Sequence, residues 1–293
     1  MGLKQKIKNI PAIYNALLTL LNNLNYFDWS FHRRFPRYKL TSYWLNRIAI
    51  VKSSPDNLKL QPVPDAGKVF PDHQLVHNGL KITLGSYYDY GNTHLLMENQ
   101  GIHEPQEEYA FDKILKSIPR KGTMMELGSY WAFYSMWFAK EVPQAQCLMI
   151  EPDPHKMNFG KLNFSKNKLK GIFDLGFISD GYKPASIPYY SVDHLMKKHK
   201  IQHLNILHSD IQGFELKMLE GCKDALASGM IDYFFISTHS NELHNACIAK
   251  LKSSSFEILC EANLDESFSV DGLIVAKRKG VGGPENIDIS KRI

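Results

Sequence analysis

The sequence predicts an α/β domain. Its core is a doubly wound, mostly parallel seven-stranded sheet that ends in an antiparallel hairpin, preceded by a helical or irregular N-terminal extension. Three observations predict it. From Thr123 onward, short apolar runs alternate with segments of helical pattern, as parallel strands joined by crossover helices do. Several runs end in a glycine or an ionisable residue (Gly128, Glu151, Asp210, His239), where an open parallel sheet puts its ligand. The last two runs, 256–260 and 270–276, have no helix between them and read as a hairpin.

The elements follow in order. Thr123 to Leu127 is a strand that stops at Gly128, and Trp131 to Lys140 is helical. Gln146 to Glu151 is the second strand. Pro152-Asp153-Pro154 then opens a helix that runs to about Asn167, with Asp at the cap and Pro in the first turn. Leu204 to Asp210 is a strand, Gly213 to Ala227 a helix, Ile231 to Thr238 a strand and Glu242 to Leu251 a helix. Upstream, 105–117 reads as a helix, and 53–85 is rich in Pro, Asp, Gly and Asn, the composition of loops and short strands. This divides the chain into an extension and connecting region over 1–100, a ligand-binding domain over 101–280 and a tail over 281–293.

Composition bounds the class. The chain has 293 residues, 44% hydrophobic and 22% charged, which excludes disordered and fibrous readings. None of its four cysteines forms a C-x-x-C pair, so no zinc ribbon or disulfide framework is supported, and a reducing compartment is the natural reading. The apolar stretch Ala12 to Leu21 is interrupted by Asn15 and Thr19 and is too short to span a bilayer. No small-residue cleavage site follows it, and Met1-Gly2 lacks a myristoylation signal, so a cytoplasmic protein is expected.

Charge is uneven. Residues 1–52 hold nine Lys/Arg and one acid, Asp28, a net +8 against a whole-chain +5. Aromatic residues, Trp29 and Tyr43 among them, are interleaved with the basic ones. Such an arm suits three partners: the main domain or a second subunit that it packs against, an anionic membrane surface, and, less well, nucleic acid.

The strand ends carry the chemistry. Glu151 follows Glu126 by 25 residues, the spacing of an acid that accepts hydrogen bonds from ribose hydroxyls. The turn after the first strand, Gly128-Ser129-Tyr130-Trp131-Ala132, has one glycine and no G-x-G-x-x-G. A single-glycine turn beside a ribose-binding acid favours an adenosyl ligand without a pyrophosphate, S-adenosylmethionine rather than NAD. An NAD-dependent oxidoreductase is disfavoured for the same reason.

Three stretches in the right order resemble the motifs of the FkbM family of methyltransferases. They are Met124 to Ser135, Ile150-Glu151-Pro152-Asp153-Pro154, and His208-Ser209-Asp210-Ile211-Gln212-Gly213-Phe214-Glu215. Val192-Asp193-His194-Leu195 and Asp271-Gly272-Leu273-Ile274 fit the same pattern, so the resemblance covers about 100–278. Two departures stand out: the family's usual G-A-N-x-G is replaced by Gly128 to Ala132, and the stretch between Phe173 and Ser191 is short.

The resemblance implies a Rossmann-like fold and S-adenosylmethionine-dependent O-methylation of a sugar hydroxyl in a surface glycan or secondary metabolite. Glu126, Gly128, Ser129 and Tyr130 would meet the methionine end, Glu151 and Pro152 the ribose, and Phe177 and Ile178 the adenine. Asp153 reads as a cap or a ligand. Asp210 and Gln212 would lie beside the cofactor, with Asp210 and His239 catalytic, His239 taking the acceptor's proton. Asp210 and His239 also suit a divalent metal. His103, Glu104 and Gln106 resemble a segment that folds over the cleft and contacts substrate. The alternative is a non-catalytic adenosyl- or partner-binding module. A nucleic-acid amino-methylation motif of the N/D-P-P-Y type is absent from the sequence.

Overall fold

The computed structural model describes residues 11–292. The basic residues Lys4, Lys6 and Lys8 and the Met1-Gly2 start lie outside the described residues. The N-terminal extension is helical: α1 (Pro11–Asn23), α2 (Tyr26–Arg34) and α3 (Ser42–Ser53), the last capped by the Thr41 hydroxyl. Two-residue strands β1 (Gln74–Leu75) and β2 (Lys81–Ile82) pair antiparallel in the loop-rich stretch. A helix the sequence pattern does not announce, α4 (Tyr90–Glu98), precedes α5 (Pro105–Leu115). α4 carries one tight approach. A Cβ at Gly91 would lie 2.0 Å from the Trp44 ring, so glycine lets α3 lie flat on α4.

The alternating part follows as β3 (Thr123–Leu127), α6 (Phe133–Glu141), β4 (Gln146–Glu151), α7 (Pro154–Lys166) and β5 (Ile172–Leu175). A small parallel pair, β6 (Phe177–Ile178) and β7 (Tyr189–Tyr190), leads to α8 (Val192–Lys198) and β8 (Leu204–Ser209). The single helix expected over 213–227 is two, α9 (Glu215–Glu220) and α10 (Lys223–Ala227). They break at Gly221, where a side chain would meet the Ser179 carbonyl at 2.6 Å. Then come β9 (Ile231–Thr238), α11 (Asn241–Ser253), β10 (Phe256–Ala262) and β11 (Gly272–Arg278).

The seven-stranded sheet runs β10-β11-β9-β8-β3-β4-β5. β11 is antiparallel to both its neighbours, which makes the expected hairpin; the other strands are parallel. Side chains alternate between the faces. Cys147 and Met149 of β4 pack with Phe111, Phe133 and Phe138 on one side, and Leu148 and Ile150 with Leu195, Met218 and Leu251 on the other. The chain reverses direction across the sheet between β3 and β8, so a ligand cleft is expected where Gly128 and Asp210 emerge. The tail packs back: Ile287 is buried, and Ser290 donates its backbone N–H to Asp56 at 2.8 Å.

Candidate active site

A cavity of about 640 Å³ opens at that reversal point. Its first wall is the turn after β3. Gly128 has φ +74°, and a Cβ there would stand 1.8 Å from the Asp210 carbonyl oxygen, so the two strand ends touch backbone to backbone. Tyr130 (φ +40°) and Ala132 (φ +60°) are also left-handed. These are the Asn and final Gly positions of the family's G-A-N-x-G, residues that tolerate this conformation more readily. Neither position holds Gly or Asn here, so the turn carries backbone strain of the kind that clusters at functional sites. Glu126 lines the cavity with one oxygen committed, accepting from the Ser135 backbone N–H at 3.0 Å near the start of α6. Burial raises its carboxyl above the usual range.

Glu151 is buried at the end of β4. One oxygen accepts from the Tyr130 N–H at 3.1 Å and the other from the Asp153 N–H at 2.8 Å. A carboxylate has about four acceptor sites, so this one keeps capacity for two more donors from the cavity. Burial pushes its carboxyl up to about 7. Pro152, Phe177 and Ile178 line the cavity nearby, and Phe177 stacks on Tyr189 with centroids 5.0 Å apart. Asp153 is not among the lining residues: its carboxylate accepts from the N–H groups of His155 and Lys156 and caps α7.

His103 and Glu104 line the floor. Behind them Glu108 receives the backbone N–H of both, with the His103 and His77 rings 2.6 and 2.8 Å away. Burial opposes a charged ring, yet Glu108 and Glu104 hold His103 protonated, up to about 10. The Tyr134 hydroxyl donates to Glu104, and His208 pairs with Glu107 at 2.7 Å. Gln106 takes a different part from the one the sequence suggests. It lies two residues past Glu104, about 200° around the helix, and lines no part of this cavity. It donates to the Ser290 carbonyl and accepts from the Phe268 N–H, fastening the tail and the loop before β11.

At the β8 end, Asp210 and Gln212 line the cavity; His239 does not. Its Nε2 lies 3.3 Å from Asp210 and 3.4 Å from Asp271, behind both carboxylates, and its Nδ1 is 2.8 Å from the buried Glu215. Asp271 faces the cavity too, and burial, helped by Asp210, pushes it up to about 7. Against the cost of burial, hydrogen bonds to Asp210 and Glu215 raise His239 to about 10. The Gln212 amide nitrogen, 2.8 Å from Nε2, pulls the other way, because an amide donor needs a lone pair there. The Asp210 and Glu215 carboxylates thus favour the imidazolium form of the ring that the sequence reading casts as proton acceptor. Asp210, His239 and Asp271 each offer a ligand atom, all within 4.8 Å of one another. A divalent cation there would take the proton's place, with Glu215 orienting the ring from behind.

Sequence reasoning missed Glu215 and Asp271 as parts of this cluster, though both stand inside quoted motifs. It also missed the contribution of the extension. Tyr43, Trp44 and Arg47 of α3 and Tyr87 and Tyr88 line the cavity, so its walls come from both sides of the boundary expected at residue 100. Arg47 is buried and donates to the Phe268 carbonyl, tying α3 to the loop that delivers Asp271. Tyr87 stacks on Trp131 with centroids 4.3 Å apart. Their signal was the aromatic density of 26–44 and 87–90, which composition alone cannot place.

No curated protein matches the chain. Among solved structures, TrmK of M. capricolum in complex with S-adenosyl-homocysteine is 13% identical, with TM-score 0.42 over 61% of this chain and 71% of that one. A precorrin-6y C5,15-methyltransferase of Geobacter metallireducens is 10% identical, TM-score 0.42, over 59% and 87%. A putative rRNA-methylase of Clostridium thermocellum is 8% identical, TM-score 0.45, over 60% and 97%. The family profile that matches is the methyltransferase FkbM domain, over residues 162–258, from α7 to β10, a span that contains Asp210, Glu215 and His239.

Proposed function

We propose that the protein is an S-adenosylmethionine-dependent methyltransferase that methylates an oxygen, the hydroxyl of a sugar in a glycan or secondary metabolite. The observation that carries this reading is one cavity bounded by the Gly128 turn and Glu151 on one side and by Asp210 and Asp271, with His239 behind them, on the other. The residues present fit the cofactor. Gly128 lets the β3 turn close against the Asp210 backbone at the cavity wall, Glu151 has free acceptor capacity for ribose hydroxyls, and the Phe177–Tyr189 stack offers a face for adenine. Glu126, Ser129 and Tyr130 stand where the methionine end would lie, beside Pro152, Asp210 and Gln212.

Bound there, the cofactor supplies an electrophilic methyl group. The chain's own residues do the rest. Aromatic walls (Tyr43, Trp44, Tyr87, Trp131) suit the apolar faces of a sugar ring and exclude water, holding the acceptor oxygen in line. Asp271, at the cavity and near neutral in its titration, takes the hydroxyl proton, while the His239 imidazolium steadies it and Asp210. A second reading is favoured by the Gln212 amide facing Nε2: a divalent cation held by Asp210, His239 and Asp271 that orients the acceptor oxygens. Exhaustive chelation separates the two. Activity lost and then restored by Mg²⁺ or Mn²⁺ assigns the cation; unchanged activity assigns the proton-accepting carboxylate.

Isothermal titration with S-adenosylhomocysteine tests the cofactor site. Wild type is expected to bind, and Glu151→Ala to bind at least 30-fold more weakly, a loss equivalent to about one charge-assisted hydrogen bond. Ribose hydroxyls need the carboxylate form, and the free protein's Glu151 titrates at about 7. Affinity is therefore expected to be full above pH 8 and to fall as pH drops through 7. A folded wild type that binds no adenosyl ligand would replace this reading with the non-catalytic binding module.

A further inference from the structure

α1 is apolar on two faces. Leu18 turns inward and is buried, and Asn22 exchanges hydrogen bonds with Asn158 of α7. On another face Ile13, Leu17, Leu20 and, in the turn that follows, Leu24 are 54, 38, 55 and 67% exposed. Their spacing of 4, 3 and 4 residues puts them within about 60° of one another around the axis. This is a continuous stripe about 16 Å long, not a scatter of single exposed leucines. α2 continues the outer surface. Phe27 and Phe31 pack inward, while Trp29 is 56% exposed with the Arg33 guanidinium 5.3 Å over its ring. Arg33, Arg34, Arg37 and Lys39 are all exposed, and among the described residues no carboxylate pairs with them. In sequence, Lys4, Lys6 and Lys8 precede the stripe.

We propose that this outer face of α1 and α2 seats the protein on an anionic lipid surface. The leucines enter the acyl boundary, Trp29 sits at headgroup level, and the arginines face the phosphates. Charge decides the occupant. A second copy of the chain would bring its own net +8 extension against this one, whereas an anionic leaflet is complementary to it. No helix among the described residues is long and apolar enough to cross a membrane, so the contact lies in the interface plane. Docking also has a route to the cavity, since the same extension supplies Tyr43, Trp44 and Arg47 to its wall. The proposal stands apart from methyl transfer and is tested without cofactor.

The experiment is co-sedimentation of the full chain with vesicles of phosphatidylcholine containing one-third phosphatidylglycerol, beside phosphatidylcholine alone. Wild type is expected to bind the anionic vesicles at least tenfold more tightly, and less as salt rises. Leu17→Asp with Leu20→Asp is expected to weaken binding on the order of 100-fold or more. Arg33→Glu, Arg34→Glu and Arg37→Glu together should do the same, about fivefold per lost charge. These side chains are exposed, so the melting temperature should hold in both variants and serves as the folding control. Absence of binding at low salt, or binding unchanged in both variants, overturns the proposal. So does a concentration-dependent dimer in sedimentation velocity that the leucine variant abolishes while vesicles are not bound, which would assign the stripe to a second copy.

Discussion

Gly128→Ala is expected to abolish S-adenosylhomocysteine binding and to lower stability by about 3 kcal/mol. Two physical terms add. The residue sits at φ +74°, where an alanine costs about 1 kcal/mol more than glycine. The new Cβ would also lie 1.8 Å from the Asp210 carbonyl oxygen, a backbone atom that cannot swing away as a side chain can. Overpacking at such a point costs roughly 1–3 kcal/mol, because β3 and β8 must separate. They are held together there by the Asp210 N–H donating to the Leu127 carbonyl at 3.0 Å. At roughly 2–4 °C per kcal/mol for a chain of this size, the melting temperature should fall by about 6–12 °C. Calorimetry and ligand titration read the two effects separately. A variant that melts and binds like wild type would show that the β3 and β8 ends are not in contact in solution.

His239→Ala is expected to cut methyl transfer by about 10²–10⁴ while S-adenosylhomocysteine affinity stays within threefold. The ring lines no part of the cavity, so truncating it removes nothing a ligand touches. What it removes is the cation that keeps Asp210 and Asp271 apart in charge and fixed in place. The split between turnover and affinity is the diagnostic. Rates are read with a radiolabelled methyl donor over a panel of simple glycosides. Added imidazole is expected to restore part of the rate, because a diffusible ring can occupy the vacated space beside Glu215; a merely structural lesion gains nothing from it. Unchanged turnover would take His239 out of the mechanism.

How far the sequence reached follows from which interactions are local. β4 and β9 came out at their own boundaries, and the cap of α7 at its own residue. A strand's apolar run, an Asp at a cap and a Pro in the first turn are each decided by neighbours within a few positions. The closing hairpin was legible because no helix-length segment separates its two strands. β5 and α8 carried weaker patterns and were not read as elements. The break between α9 and α10 was not read either; it falls at Gly221, which packs against the Ser179 carbonyl more than 40 residues away.

The site divides along the same line. The sequence by itself determined the strand ends: Gly128, Glu151 and Asp210 are punctuation at the carboxyl edge of a parallel sheet, and their order along the chain places them. Only the tertiary structure decided what faces what. It put Asp153 on a cap and Gln106 on the tail. It set His239 behind the Asp210 and Asp271 carboxylates, which favour its charged form, and not on the cavity wall. It brought Asp271 from the loop before the last strand and Arg47 from the N-terminal extension to one cavity. The reason is that charge and desolvation depend on distance in space, and residues 47, 126, 151, 210 and 271 become neighbours only when the sheet closes over the reversal between β3 and β8.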